Sequence, residues 1–333
     1  MAGVKMLPSP VMAQGSNAHD WHIAGNGAVG MMLAWHLQRA GERICLLTRS
    51  EQPDPVELIH RFKDQPSESW SCRTSFQPGH DTQINRLVVA TKSFSVSDVL
   101  KTWGGVLTSE ARIYFMQNGR GFHLEEQPVP GQRVIHVVNS GLAGFRDGEH
   151  EVIQTALHPM HCGDALGSGT PADGQVTDDL DRLLAAGITL EWVPDIDDRR
   201  WIKVAVNAAV NPLTVIFQCP NGALFEHPEA IELMRAMHRE IAGIFKGMGM
   251  TSTAEDLSNL TSAVITDTRD NRSSMLQDFK RGATRNELDH ITVPLIEQAA
   301  RLGVDSSVIQ EVDRRARACF ASRSAGGSGS AGC

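Results

Sequence analysis

Short apolar runs bounded by polar or glycine-rich stretches dominate the first part of the chain: Trp21–Ala24, Arg43–Thr48, Leu87–Ala90, Ala111–Met116, Arg133–Val138, Glu151–Leu157 and Ile188–Val193. Several lack strict alternation, which predicts strands covered on both faces, as in a parallel sheet. Met31–Ala40 and Ser95–Trp103 have a helical rhythm instead. After Asp195 that rhythm takes over. Helices are expected over Trp201–Pro212, from Pro228 onward with Ile231, Met234, Ile241, Ile244 and Phe245 inward, and over Thr253–Thr268, where Thr253 is a cap with Asp256 three residues on. Ile291–Leu302 reads as the last long helix. The expected architecture is α/β, a sheet domain over residues 20–195 followed by an all-α domain over 196–321. Residues 1–19 read as a mobile extension and 322–333, rich in Gly, Ser and Ala, as a flexible tail. Glu51–Asp81 is polar and receives no element.

The join between the first strand and helix is Gly25-Asn26-Gly27-Ala28-Val29-Gly30. Strand, glycine-rich turn, helix and second strand in that order form a dinucleotide fingerprint, so the first domain is expected to be of the Rossmann type. Gly25 permits the tight turn, Gly27 lets backbone N–H groups approach a pyrophosphate, and Gly30 allows close helix packing. The phosphates then sit at a helix N-terminus. The other reading is a glycine turn that only packs. After the second strand come Thr48-Arg49-Ser50, with no acid to accept from the ribose of NAD. Arg49 suits the 2′-phosphate of NADP. It also reads as a solvated surface charge, and Glu51 nearby leaves NAD open; NADP(H) is the expectation. Lys92 follows the strand Ile84–Ala90, where ligands of open α/β sheets bind, and is a candidate cofactor contact.

The helix Trp201–Pro212 is apolar almost all round, yet Lys203, Asn207 and Asn211 recur at i, i+4 and i+8. At about 100° per residue they share an arc of roughly 80°. A buried amine and two buried amides need polar company, and a small polar substrate is the natural candidate. The plainer reading has Lys203 reaching solvent and the asparagines bonded to a neighbouring loop.

Trp201 to Gly222, including Asn211-Pro212-Leu213-Thr214 and Cys219-Pro220-Asn221-Gly222, closely resembles the signature of ketopantoate reductases. The resemblance extends over roughly residues 21–50, 84–121 and 197–295, and is thin between 132 and 195, where Arg146-Asp147-Gly148 carries it. It implies NADPH-dependent reduction of 2-dehydropantoate to pantoate, a step toward pantothenate and coenzyme A. Lys203 would be the proton donor, with Asn207, Asn211 and Asn221 orienting the substrate. In Gln117-Asn118-Gly119-Arg120-Gly121 the resemblance gives Asn118 a role toward nicotinamide and substrate. Arg120 stands where an apolar residue is expected. In Ser273-Ser274-Met275-Leu276-Gln277-Asp278, Ser274 and Gln277 match substrate-facing positions. Glu287 matches the acidic site residue, after a spacer one residue longer than usual. Gly282 is expected to end one helix and Thr284 to cap the next, which would place Glu287 at N3 of a capping box; Glu287 is still expected to face the cleft, within a hydrogen bond or one water of the substrate or nicotinamide ribose.

Bulk composition narrows the alternatives. The 31 basic against 39 acidic residues, without a basic run, argue against nucleic acid or an anionic membrane as partner. No stretch is long and apolar enough to span a bilayer. Six cysteines without CxxC spacing indicate neither zinc nor a disulfide framework, and fit a reduced cytoplasmic setting; a metal at His158, His161 and Cys162 is not expected. Monomer and dimer both remain open. So do two other functions, a reductase of another 2-keto acid or 3-hydroxy acid and a non-catalytic NADP-binding sensor.

Overall fold

The computed structural model describes residues 21–120, 132–164 and 174–325. The expected N-terminal extension, Gly121 and most of the expected tail lie outside the described residues. The chain forms two compact units. One takes the chain to Thr91, Val96–Gln117 and the chain on to Pro194; the other takes Lys92–Ser95, the turn beginning at Asn118, and the chain from Asp195.

In the first unit the strands are β1 (Trp21–Ala24), β2 (Ile44–Leu47), β3 (Val56–Phe62), β4 (Glu68–Ser75), β5 (Ile84–Val89), β6 (Leu107–Phe115), β7 (Arg133–Val138), β8 (Ala143–Arg146), β9 (Glu151–Ala156), β10 (Met160–Asp164) and β11 (Leu190–Trp192). They join in one sheet, ordered β11-β10-β7-β6-β5-β1-β2-β4-β3-β9-β8. The middle, from β7 to β4, is parallel throughout. β1 lies between β2 and β5, so the chain leaves it in one direction and returns on the other side. The crevice outside the carboxyl ends of β1 and β5 is therefore the topological switch point. Helix α1 (Ala28–Arg39) packs Met31, Met32, Leu33, Ala34 and Leu37 into the core with Ile23, Leu46 and Val88. Two more helices belong here, α2 (Val96–Trp103) and α3 (Gly174–Ala185).

Two features of this unit differ from the sequence reading. The unassigned stretch 51–81 forms the antiparallel pair β3 and β4. β4 carries only Trp70 and Cys72 as apolar residues in Glu68–Ser75, so its strand character comes from ladder partners on both sides. The span 132–195 holds a helix as well as strands: α3 turns Val176, Asp179 and Leu183 inward, at helical spacing, with a carboxylate in the inward stripe. That carboxylate is fully buried between Arg86, Arg112 and Tyr114, whose hydroxyl donates to Asp179 Oδ2 at 2.8 Å.

The second unit is helical: α4 (Ile196–Ile216), α5 (Pro228–Gly247), α6 (Ala254–Asp267), α7 (Ser274–Lys280), α8 (Leu288–Ile291), α9 (Val293–Leu302) and α10 (Ser307–Ala325). α4 is its axis, packed on by α5, α6, α7, α8 and α10. Thr253 caps α6 in a reciprocal capping box with Asp256. The expected helix over 291–302 is α9, which starts two residues later, at Val293, with Pro294 in its first turn, while the short α8 ends at Ile291. It is also not the last. α10 buries Ile309, Val312, Ala316, Cys319 and Phe320, and its final turn takes in Ser322–Ala325, which composition assigned to the tail. No helix among the described residues is long and apolar enough to cross a membrane.

Candidate active site

In the sheet unit, each fingerprint glycine has its own cause. Gly25 has φ +112°, and a Cβ there would meet Thr91 Cγ2 at 3.0 Å and the Ala90 carbonyl carbon at 3.1 Å. A Cβ on Gly30 would lie 1.9 Å from the Gly25 oxygen. At Gly27 a Cβ would meet nothing within 4 Å, so this glycine opens onto space and does not pack. Gly27 is the N-cap of α1, without a side-chain cap and without an acid in the first turn. Met31 N bonds to Gly27 O, which leaves the N–H groups of Ala28, Val29 and Gly30 ahead of the intrahelical ladder, where an anion is stabilised. Asn26, Ala28 and Val29 are half-buried along this turn.

Two further oxygens support a ligand at this edge. Gln117 Nε2 donates to Val89 O at 2.7 Å and Thr91 O at 3.1 Å, tying the ends of β5 and β6 together. Its Oε1, like Thr91 Oγ1, is buried and has no hydrogen-bond partner among the described residues. Buried polar atoms left unpaired cost free energy, and donors from a bound dinucleotide would remove that cost. The turn and these oxygens together fit a dinucleotide. At the end of β2, Thr48 Oγ1 donates to Ser50 O at 2.8 Å and shapes the turn that carries Arg49 outward, exposed.

The helical unit gathers ionisable groups from distant parts of the chain. Lys92 Nζ donates to Asp278 Oδ2 at 2.8 Å and Glu287 Oε2 at 3.2 Å. Ser93 Oγ approaches Glu287 Oε1 at 3.5 Å. Burial alone would lower the pKa of Lys92, but Glu287 and Asp278 outweigh it and raise it. Lys203 behaves in the opposite way. It is half-buried by surface area, yet its amine is surrounded by enough protein that desolvation dominates and pushes it down to about 8, with the Glu287 charge opposing. Glu287 is 4% exposed and so acts through little water.

Glu287 reaches this position by a route that the sequence reading misjudged. Gly282, at φ +75°, does end α7, with Gly282 N on Phe279 O and Ala283 N on Asp278 O. Thr284 does not cap a helix. α8 begins at Leu288, Glu287 sits at its N-cap without a side-chain cap bond, and Asn286 Oδ1 accepts from Leu288 N instead. The carboxylate is thus released from capping and faces Lys92. The spacer residues lie in a turn and loop, where an additional residue leaves α8 undisturbed.

The other candidate residues divide. Asn207 is half-buried and Asn211 buried on α4, one and two turns beyond Lys203. Asn118 is half-buried in a turn held against α8: Arg120 N donates to His290 O at 2.8 Å, and a Cβ on Gly119 would lie 2.2 Å from that oxygen. Arg120 sends its guanidinium to Asp197 at 2.6 and 3.1 Å and lies over Trp201, 4.3 Å from the ring centre. Asn221 lies beyond α4; its Nδ2 donates to Thr268 Oγ1 at 2.9 Å, while Oδ1 is buried without a partner among the described residues. Ser273, not Ser274, caps α7, accepting from Leu276 N, so Ser274 is not used as the cap. Gln277 Nε2 donates to Arg272 O. Sequence reasoning passed over Asp278 and Ser93. Asp278 adjoins Gln277 in a run already singled out, but nothing local shows that it faces Lys92, 186 positions away.

With this geometry in place, comparison with known proteins is decisive. Residues 21–167 match the family profile described as ketopantoate reductase PanE/ApbA, and residues 195–318 its C-terminal counterpart. The chain belongs to the ketopantoate reductase family. It is 31% identical over 283 residues to the 2-dehydropantoate 2-reductase of Shigella flexneri, covering 85% of this chain and 89% of that one. To the 2-dehydropantoate 2-reductase of Archaeoglobus fulgidus it is 28% identical over 290 residues, 86% and 92% of the two chains. Among solved structures, a PanE/ApbA family ketopantoate reductase from Ralstonia eutropha superposes with a TM-score of 0.79 at 20% identity, covering 92% of this chain and 99% of that one. A D-mandelate dehydrogenase with NADH and anilino(oxo)acetate gives 0.82 at 17% identity, with the same coverage. The chain is thus an oxidoreductase of this family, built to use a nicotinamide dinucleotide.

Proposed function

We propose that this protein reduces 2-dehydropantoate to pantoate, with NADPH as reductant and Lys203 as proton donor. The observation that carries the reading is a lysine amine inside an otherwise apolar helix with one buried carboxylate, Glu287, acting on it. NADPH, when bound, supplies the hydride to the keto carbon. Negative charge then gathers on the keto oxygen, and the Lys203 ammonium donates a proton to it. With its pKa at about 8, most of the amine is protonated at neutral pH, and it releases its proton more readily than an ordinary lysine. Glu287 supplies the counter-charge that holds that proton until the oxygen needs it.

Along α4, Asn207 and Asn211 lie about 6 and 12 Å from Lys203 at 1.5 Å per residue, a span suited to a small, branched hydroxy-acid skeleton. Asn118, Asn221, Ser274 and Gln277 supply further polar contacts to substrate. Gly25–Gly30 takes the pyrophosphate, Arg49 the 2′-phosphate, and Lys92 and Asn118 the nicotinamide end. A second reading, reduction of another 2-keto acid, draws on Arg120, the charged residue in the turn that carries Asn118. Following NADPH absorbance with a panel of 2-keto acids tests both. The expected outcome is highest kcat/KM for 2-dehydropantoate, and for NADPH over NADH. Turnover of a different keto acid alone would install the second reading; NADPH binding with no turnover would make the protein a sensor.

A further inference from the structure

Of the charged groups gathered around Glu287, Asp278 has no part in the mechanism above, yet it is the nearer of the two carboxylates to Lys92. It is only 17% exposed and is fixed on the last turn of α7, whose end is closed by Ala283 N on Asp278 O and by buried Phe279.

We propose that Asp278 is a positioning residue that holds Lys92 away from full pairing with Glu287, and so keeps the Glu287 carboxylate effective as the counter-charge of Lys203. An ammonium has three N–H groups, and Lys92 directs one toward each carboxylate. Two carboxylates and one ammonium leave one net negative charge beside Lys203. Without Asp278, Lys92 and Glu287 form a neutral pair, and the net negative charge that this cluster presents to the Lys203 ammonium is lost. Its proton is then held less tightly.

The charges on the elements packed against α4 do not substitute for Asp278. On and beside α8, Asp289 is paired with Arg317 at 2.7 Å, and His290 Nδ1 is engaged with the Arg120 carbonyl. On α7, Lys280 is exposed. On α4 itself, Arg200 is bonded to Asp197, and on α10 Arg315 pairs with Glu229 and Arg317 with Asp313. The Glu287 charge bears on the Lys203 amine and opposes the effect of its burial.

This inference rests on Lys203 being the proton donor, so the experiment separates the two. In the full-length enzyme saturated with NADPH and substrate, the pH dependence of kcat is measured for wild type, Asp278→Asn and Asp278→Glu. The amine of Lys203 is titrated in parallel by NMR of ¹³C-methylated protein, the resonance being assigned by its loss in Lys203→Ala. The expected result for Asp278→Asn is an alkaline limb moved down by about half to one pH unit, the lysine resonance moving with it, and a return toward the wild-type position in Asp278→Glu. An unmoved limb and an unmoved resonance in Asp278→Asn would overturn the inference. So would an equal loss of kcat at every pH, which is the signature of a purely structural role. If the wild-type limb does not follow the Lys203 resonance, or Lys203→Ala keeps its activity, it is the proton-donor reading that fails.

Discussion

Thr91→Val removes one buried oxygen at nearly constant shape, and its two effects should have opposite signs. In the free protein Thr91 Oγ1 is buried and has no hydrogen-bond partner among the described residues. An unsatisfied buried hydroxyl costs about 1–3 kcal/mol, and a methyl in its place is free of that cost. The free variant should therefore be more stable than wild type, with Tm higher by about 2–4 °C for each kcal/mol recovered. If the hydroxyl bonds a dinucleotide at the switch point, the same change loses a neutral hydrogen bond of about 0.5–1.5 kcal/mol. Affinity for NADPH then weakens by about 2- to 12-fold. Thermal melts without cofactor and a fluorescence titration with NADPH supply the two numbers. A purely structural threonine would give a lower Tm and an unchanged Kd, and either result refutes the argument. Failure of the wild type to bind NADPH would refute the dinucleotide reading itself.

Lys203→Ala should lower kcat by about 10²- to 10⁴-fold while NADPH still binds, as a stopped-flow hydride-transfer measurement beside a binding titration will show; near wild-type kcat removes it from the mechanism. Arg49→Ala should weaken NADPH by about 1.5–3 kcal/mol and leave NADH little changed, read from Kd values for both; equal weakening makes Arg49 structural. Glu287→Ala should damage kcat/KM far more than Asp289→Ala, because Asp289 is an exposed partner of Arg317 whereas Glu287 is buried on Lys92; the reverse ranking would count against Glu287.

What the sequence made legible was local. The turn from Gly25 to Gly30 announces itself because each glycine answers to a backbone constraint within a few residues or at one neighbouring strand. α6 was visible because Thr253 and Asp256 form their cap three residues apart. The polar stripe of α4 could be read from spacing, since periodicity is a property of one element. β4 was not legible, because a strand of Glu, Ser, Arg and Thr owes its conformation to β2 and β3. α10 was overlooked for a related reason: its inward stripe includes Ala316 and Cys319, small residues whose burial depends on α4 and α5 lying against them.

Glu287 shows why the ionic part of the site needed the fold. In the sequence, Thr284 and Glu287 satisfy the spacing of a capping box, and that pattern pulls the carboxylate back onto its own helix. In the structure Asn286 takes the capping duty, α8 starts four residues after Thr284, and Glu287 turns to Lys92. The competition is between a local bond available to any carboxylate at N3 and an ion pair spanning 195 positions of chain. A cap is worth about 1 kcal/mol on an exposed helix end. A buried carboxylate deprived of its ammonium costs about 3–5 kcal/mol, so once the fold brings Lys92 to the loop, the ion pair prevails. Nothing in the local pattern measures that second quantity, because it depends on how thoroughly the folded chain excludes water from the Glu287 carboxylate, which is buried although most of the loop before it is exposed. The same exclusion gives the Glu287 charge its hold on Lys203, so the burial that decides its pairing with Lys92, which the sequence does not show, is also what fits it for its proposed role.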